Sequence, residues 1–233
     1  MRKTRPQRPT TKSESEEGLT IKAYRKLEEM IVTLVLEPGS VVSEAELAER
    51  VGIGRTPIRE AIQRLSRERL IKIMPSRGCV ITEINIDEQL KLLELRRELE
   101  GLLVRSAAVR ANEQERSAFG QLSSGFEATL KTGDFEDFRR LDADFNALCE
   151  ITCRNELVAS AVRRINPLAR RFWFIHHGKT LPELGVMAHA EMARAINRAD
   201  PASASAASKK LCDYIEETTR KSLIFGGSHS ELR

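Results

Sequence analysis

Two groups of residues have the types and spacing to do chemistry. The first is the segment RTPIREAIQRLSRER, residues 55–69, in which Arg55, Arg59, Arg64, Arg67 and Arg69 stand against Glu60 and Glu68. A planar guanidinium matches O6 and N7 of guanine as well as phosphate oxygens, and a threonine hydroxyl or the open N–H groups of a helix N-terminus suit phosphate. Arg55, Thr56 and Arg59 are therefore the first candidates for contacts to DNA, with Arg64 further along the same segment. The pair Arg77-Gly78 adds a second element, because arginine favours a narrow minor groove and glycine allows a close approach. Taken alone, a basic run of this kind is more often the solvated face of an amphipathic helix, so its meaning depends on what surrounds it.

The second group is Asp142, Asn146 and His189. Over residues 134–152 the apolar stripe is Phe135, Phe138, Leu141, Phe145 and Leu148, and Asp142 falls four residues after Phe138 and three before Phe145, on the inward side. Asn146 lies one turn further along its flank. Within 182–199, His189 sits between Val186 and Met192 or Ala193, again on a buried stripe. Polar groups on inward faces need partners. Two arrangements satisfy that need: Asp142 and His189 bonded to each other or to an arginine in a closed core, or an open polar pocket. For an anionic ligand the candidates are Arg96, beside the Leu92/Leu95/Leu99 face, and Arg170, Arg171 and Trp173 of RRFWF, since arginine grips carboxylates bidentately. Against this, Arg96 and Glu100 are spaced to pair with each other on a helix surface, and Trp173 reads equally as core. Cys149 and Cys153 read as small buried hydrophobes.

The elements that position these residues follow from periodicity. Ile21, Tyr24, Leu27, Ile31, Leu34 and Val35 give a first helix ending at Pro38-Gly39. Ser43 caps a short second helix, with Glu46 three residues on, and Gly52 stops it. Pro57 belongs to the first turn of a third helix that starts at Arg55 or Thr56 and buries Ile58, Ala61, Ile62 and Leu65. Two helices joined by a short glycine turn make a helix-turn-helix. LIKIM and CVITEI, separated by PSRG, form a two-stranded hairpin, the wing. Beyond it come six helical segments, at about 87–111, 113–132, 134–152, 154–176, 182–199 and 201–224.

The expected fold is mainly α: a winged helix-turn-helix of three helices plus a two-stranded wing at residues 19–84, then an all-α bundle at 85–225, with flexible tails at 1–18 and 226–233. A net charge of +4 over 233 residues is mild, so a nucleic-acid surface must come from local clustering of arginine. Four cysteines without CxxC pairing, no apolar leader and no membrane-length apolar run point to the reducing cytoplasm and to no membrane partner. HExxH and GxSxG are absent, and GKT at 178–180 has Trp173 where the first glycine of a Walker A loop belongs, so no enzyme is expected.

The run LEPGSVVSEAELAERVGIGRTPIREAIQRLSRERLIKIMPSRGCVI is similar to the DNA-binding domain of GntR-family regulators over about 20–85. That resemblance implies operator contacts at Arg55, Thr56, Arg59, Arg77 and Gly78, while Ala45 stands where some members carry a further DNA-contacting arginine. From about 87 to 224 the chain resembles the FCD (FadR-type) ligand-binding domain: LLELRRELEG is similar to its opening helix, LDADFN stands where many members have Asp-x-x-x-His, and HAEMARAINRAD is similar to its later His-containing helix. This resemblance implies a bundle around a cavity for a small carboxylate, dimerisation and, in many members, a divalent, zinc-like metal held by the aspartate and three histidines, which places such a metal here at Asp142 and His189. Here Asn146 and Leu211 occupy two of those histidine positions, and neighbouring His176 and His177 are the other histidines available.

The function expected is that of a homodimeric transcriptional regulator, a repressor, whose affinity for double-stranded operator DNA is set by a small organic acid bound by Arg96, Asp142, Asn146, His189 and Arg171. Two rival readings remain open: a DNA-binding protein with a purely structural dimerisation domain, and a metal-dependent enzyme.

Overall fold

The computed structural model describes residues 11–75, 77–178 and 180–226. The chain divides between Glu83 and Ile84 into two compact units.

In the first unit, α1 (Thr11–Val32) buries Ala23, Tyr24, Leu27 and Ile31. It begins at Thr11, within the stretch expected as tail, and ends at Val32 rather than at Pro38, because Leu34 turns into the left-handed region at φ 61°. Strand β1 (Val41–Val42) leads directly into α2 (Glu44–Val51). Ser43 caps that helix by accepting from the Glu46 N–H at 3.1 Å, while the Glu46 carboxylate accepts from Arg50 at 2.7 Å. Gly52 ends α2 at φ 71°, a conformation that costs glycine no Cβ clash. Next, α3 (Arg55–Arg67) turns Ile58, Ala61, Ile62 and Leu65 inward against α1 and α2. Each fully buried aliphatic side chain there supplies about 1.5–3 kcal/mol of transfer free energy, which fixes the roll of the helix.

The hairpin β2 (Ile71–Met74) and β3 (Gly78–Ile81) forms where expected, but the sheet has three strands in the order β1-β3-β2. Val41 pairs with Val80 and Val42 with Cys79, antiparallel. A strand of two residues carries no alternation to detect, so sequence reading could not find β1. Gly78 explains why the sheet closes there. At φ 90°, a Cβ at this position would lie 2.6 Å from the Val42 carbonyl oxygen.

The second unit is helical: α4 (Ile86–Arg110), α5 (Glu113–Thr132), α6 (Phe135–Thr152), α7 (Glu156–His177), α8 (Glu183–Asn197) and α9 (Pro201–Gly226). Its boundaries follow the caps. Asn85, Asn112, Asp134 and Asn155 each accept from a backbone N–H three residues on, and Asn112 forms a full capping box with Glu115. Helix α4 lies along α9 and α5 along α8, and Phe119, Phe126, Phe138 and Phe145 build the centre of the core.

Gly78→Ala should destabilise the winged unit by about 1–3 kcal/mol, since both the positive φ and the Val42 backbone oppose a side chain. A lower thermal midpoint checks this, and an unchanged one would mean the wing backbone moves freely.

Candidate functional site

Helix α3 presents Arg55, Thr56 and Arg59 to solvent at its N-terminal end, opposite the buried Ile58, Ala61 and Ile62. Gly54 precedes it as N-cap without a side-chain bond. Arg77 is also exposed, in the turn between β2 and β3, where its N–H donates to the Met74 carbonyl at 3.1 Å. Gly78 follows it, and Val42 together with the positive φ already requires glycine there.

Arg59 is 61% exposed and bonded to Glu44 of α2: its Nε reaches both carboxylate oxygens at 3.1 and 3.0 Å and its Nη2 reaches one at 2.9 Å. Arg64 differs from the other arginines. Its Nε meets the carboxylate of buried Glu68 at 3.2 Å and its guanidinium lies 3.7 Å from the centroid of the Tyr24 ring, while Tyr24 donates to the same carboxylate at 2.8 Å. That triad clamps α1 to α3, and its effect on Tyr24 is clear: burial first, then Glu28 and Glu68, drive the phenol well above its usual range. The sequence places Tyr24 on the apolar face of the first helix and Glu68 among the arginines at i,i+4 from Arg64, but periodicity does not show that the three meet.

In the helical unit the inward faces of α6 and α8 do bring Asp142 and His189 together. His189 Nε2 lies 3.3 Å from Asp142 Oδ1, and its Nδ1 faces the Gly185 carbonyl oxygen at 2.7 Å, so the ring meets an acceptor at each nitrogen. Phe126, Phe138 and Phe145 surround the imidazole at centroid distances of 5.4, 5.6 and 6.2 Å. Asn146 donates from Nδ2 to the main-chain oxygen of Asp142 at 2.7 Å and to its Oδ1 at 3.0 Å, and accepts from Asn166 of α7 at 3.1 Å. The arginine approaching Asp142 is Arg170, with Nε 3.8 Å from Oδ2, whereas Arg171 is buried with Glu88 as a charge neighbour. Burial draws the Arg171 guanidinium down to about 10. Arg96 pairs with Glu100 at 2.5 Å as its spacing predicts, but inside the bundle, with the two side chains 13% and 9% exposed. Burial pulls that guanidinium down, but the charge and hydrogen bond of Glu100, with the charge of Asp142, outweigh it and hold it above its ordinary value, so Arg96 stays fully charged. For Asp142 the balance runs the other way: burial would raise its carboxyl, yet the bond and charge of His189, with Arg170 and Arg96, hold it below its ordinary value. Cys149 and Cys153 are buried, and burial pushes the Cys149 thiol far up, consistent with small core residues.

A metal does not fit these residues. Asp142 and His189 bond to each other, Asn146 turns its N–H donors toward Asp142, and Leu211, at the last ligand position, is fully buried core. Among the described residues no three His, Cys, Asp or Glu side chains stand close enough to hold an ion. The side chains of His176 and His177 lie outside the described residues.

A winged helix-turn-helix with an exposed arginine face, followed by a helical bundle with a charged interior, defines a regulator of the GntR type. The chain belongs to the FCD branch of that family: residues 19–81 match the model for bacterial regulatory proteins of the gntR family and residues 91–213 match the FCD domain. It is a DNA-binding transcriptional regulator and not an enzyme. Among curated proteins it is similar to the HTH-type transcriptional repressor RspR of Escherichia coli, 24% identical over 199 residues, covering 85% of this chain and 87% of that one. The Nta operon transcriptional regulator of Aminobacter aminovorans is 29% identical over 143 residues, covering 60% of this chain and 67% of that one. Among solved structures, E. coli McbR/YncC shares the fold with a TM-score of 0.76 at 17% identity, covering 88% of this chain and 98% of that one. Among the described residues no helix is long and apolar enough to cross a membrane.

A carboxyl held below its ordinary 3.8 in the folded state contributes stability above that pH and loses it as pH falls through the folded value. Asp142→Asn should therefore lower the melting temperature at neutral pH, with a gap from wild type that stays constant down to about pH 5 and narrows toward pH 3. A gap independent of pH would show that the charge of Asp142 contributes nothing.

Proposed function

We infer that the chain is a homodimeric, effector-controlled repressor whose two winged units read successive half-sites of a roughly palindromic operator. Arg55 and Arg59 read base edges in the major groove, Thr56 and the α3 N-terminus hold phosphate, and Arg77 of the wing follows the backbone or minor groove. The observation that carries this reading is the division of α3 into a buried aliphatic face and an exposed end bearing Arg55, Thr56 and Arg59. Arg64, spent on Glu68 and Tyr24, supports that surface from behind.

The effector is a small organic acid received among Arg96, Arg170, Arg171, Asp142, Asn146 and His189. Buried charges are costly, and a bundle needing only stability would do as well with apolar residues there. Their presence supports a recognition site, and the similarity to a repressor supports the sign of control. The effector shifts the protein between DNA-binding and released forms by its different affinity for each. One observation favours a second reading, a purely structural dimerisation domain: Asp142 and His189 already satisfy each other at 3.3 Å.

Thermal melting against a panel of small carboxylic acids separates the two. One acid should raise the midpoint of the helical unit, by the equivalent of about 2.7 kcal/mol at a hundredfold excess over its Kd. No shift with any acid would favour the structural reading. On the DNA side, Arg59→Ala should weaken binding to the duplex that the wild-type protein selects from a randomised pool by about tenfold or more, and binding to random duplex far less. An equal loss on both would remove Arg59 from base reading.

A further inference from the structure

We propose that Glu44 is a specificity-determining positioning residue of the DNA interface: its carboxylate holds Arg59 so that one edge of the guanidinium faces the bases, and its negative charge penalises contacts to phosphate that would bind any sequence. The proposal rests on the reading of Arg59 as a base contact. A guanidinium has two edges able to form paired hydrogen bonds, one made by Nε and Nη2 and one by Nη1 and Nη2. Glu44 takes the first, with Arg59 Nε at 3.1 and 3.0 Å from its two oxygens and Nη2 at 2.9 Å. The second edge remains, and that edge matches O6 and N7 of a guanine.

The backbone makes this pairing systematic. Glu44 is the first residue of α2, set immediately after the Ser43 cap, and Arg59 lies on the second turn of α3, fifteen positions on. The pair borders an open groove of about 370 Å³ between α3 and the wing, lined also by Gln63, Ile73, Met74 and Gly78. Both side chains stay in water, at 61% and 36% exposure, so the pair adds little to folding stability and its effect is on orientation. The bond to Arg59, working against partial burial and aided by the charges of Arg59 and Arg55, keeps the Glu44 carboxyl below its ordinary value, so it is ionised at neutral pH. Free to swing, Arg59 would instead be captured by the nearest phosphate, which carries no sequence information.

The test uses the full chain. A duplex is selected from a randomised pool by the wild-type protein, and its affinity is compared with that of random-sequence duplex across a salt series for Glu44→Ala, the near-isosteric Glu44→Gln, and Glu46→Ala as control. Glu46 shares the first turn of α2 but pairs with Arg50. Both Glu44 variants should lose about tenfold in the ratio of selected to random affinity, partly by binding random duplex more tightly and with a steeper salt dependence, at an unchanged melting temperature. In an Arg59→Ala background the Glu44 substitutions should change the ratio no further. A wild-type ratio in both Glu44 variants, or an equal loss in Glu46→Ala, overturns the proposal alone. If the wild-type protein enriches no sequence, the reading of Arg59 falls and the proposal falls with it.

Discussion

A carboxylate placed on the inner face of a helix would ordinarily take up a proton, and the helical unit is organised so that Asp142 does not. Three neighbouring helices contribute to that outcome. Helix α8 brings His189 to one oxygen, α7 brings Arg170 toward the other, and α4 adds the charge of Arg96, while Asn146 on α6 itself donates to Oδ1. Removing any one of them leaves the others facing a buried charge with fewer partners, a situation far more costly than losing an exposed ion pair. The Phe126, Phe138 and Phe145 rings then exclude water from the imidazole, which strengthens each polar contact they enclose. Packing and electrostatics in this unit are one problem with one solution.

The winged unit distributes its arginines differently. One is drawn inward, where Arg64 joins Glu68 and Tyr24 and ties α1 to α3. Arg55, Arg59, Arg67 and Arg77 remain exposed at the surface. The same residue type thus serves as an inward clamp and as an exposed surface group, and what separates the two is whether the acidic partner is buried, like Glu68, or half-exposed, like Glu44.

Most of the architecture was legible in the sequence because the helices announce their own ends: Asn112, Asp134 and Gly133 stand where caps require, and the six helices of the second unit begin and end within a few residues of their periodic segments. The meeting of Asp142 and His189 was legible for a related reason, since a polar residue inside an apolar stripe has one direction to point. What escaped depended on information that periodicity does not carry. Choosing Arg170 over Arg171 as the neighbour of Asp142 requires the roll of α7, because adjacent residues on a helix point about 100° apart. The Glu44–Arg59 bond joins two helices whose relative placement is set by a turn. The steric demand on Gly78 escaped too, because it comes from the backbone of a two-residue strand with no signature of its own.

That small strand has a consequence for anyone recombining such regulators. Val41 and Val42 hydrogen-bond to β3, and the next residue, Ser43, caps α2, so three positions couple the hairpin to the start of the helix-turn-helix. A chimera that transplants residues 71–81 alone would set Gly78 and the β1-facing edge of β3 against a foreign main chain in place of Val41 and Val42. The natural cassette runs from before β1 through β3, and the three strands can be exchanged only as a whole.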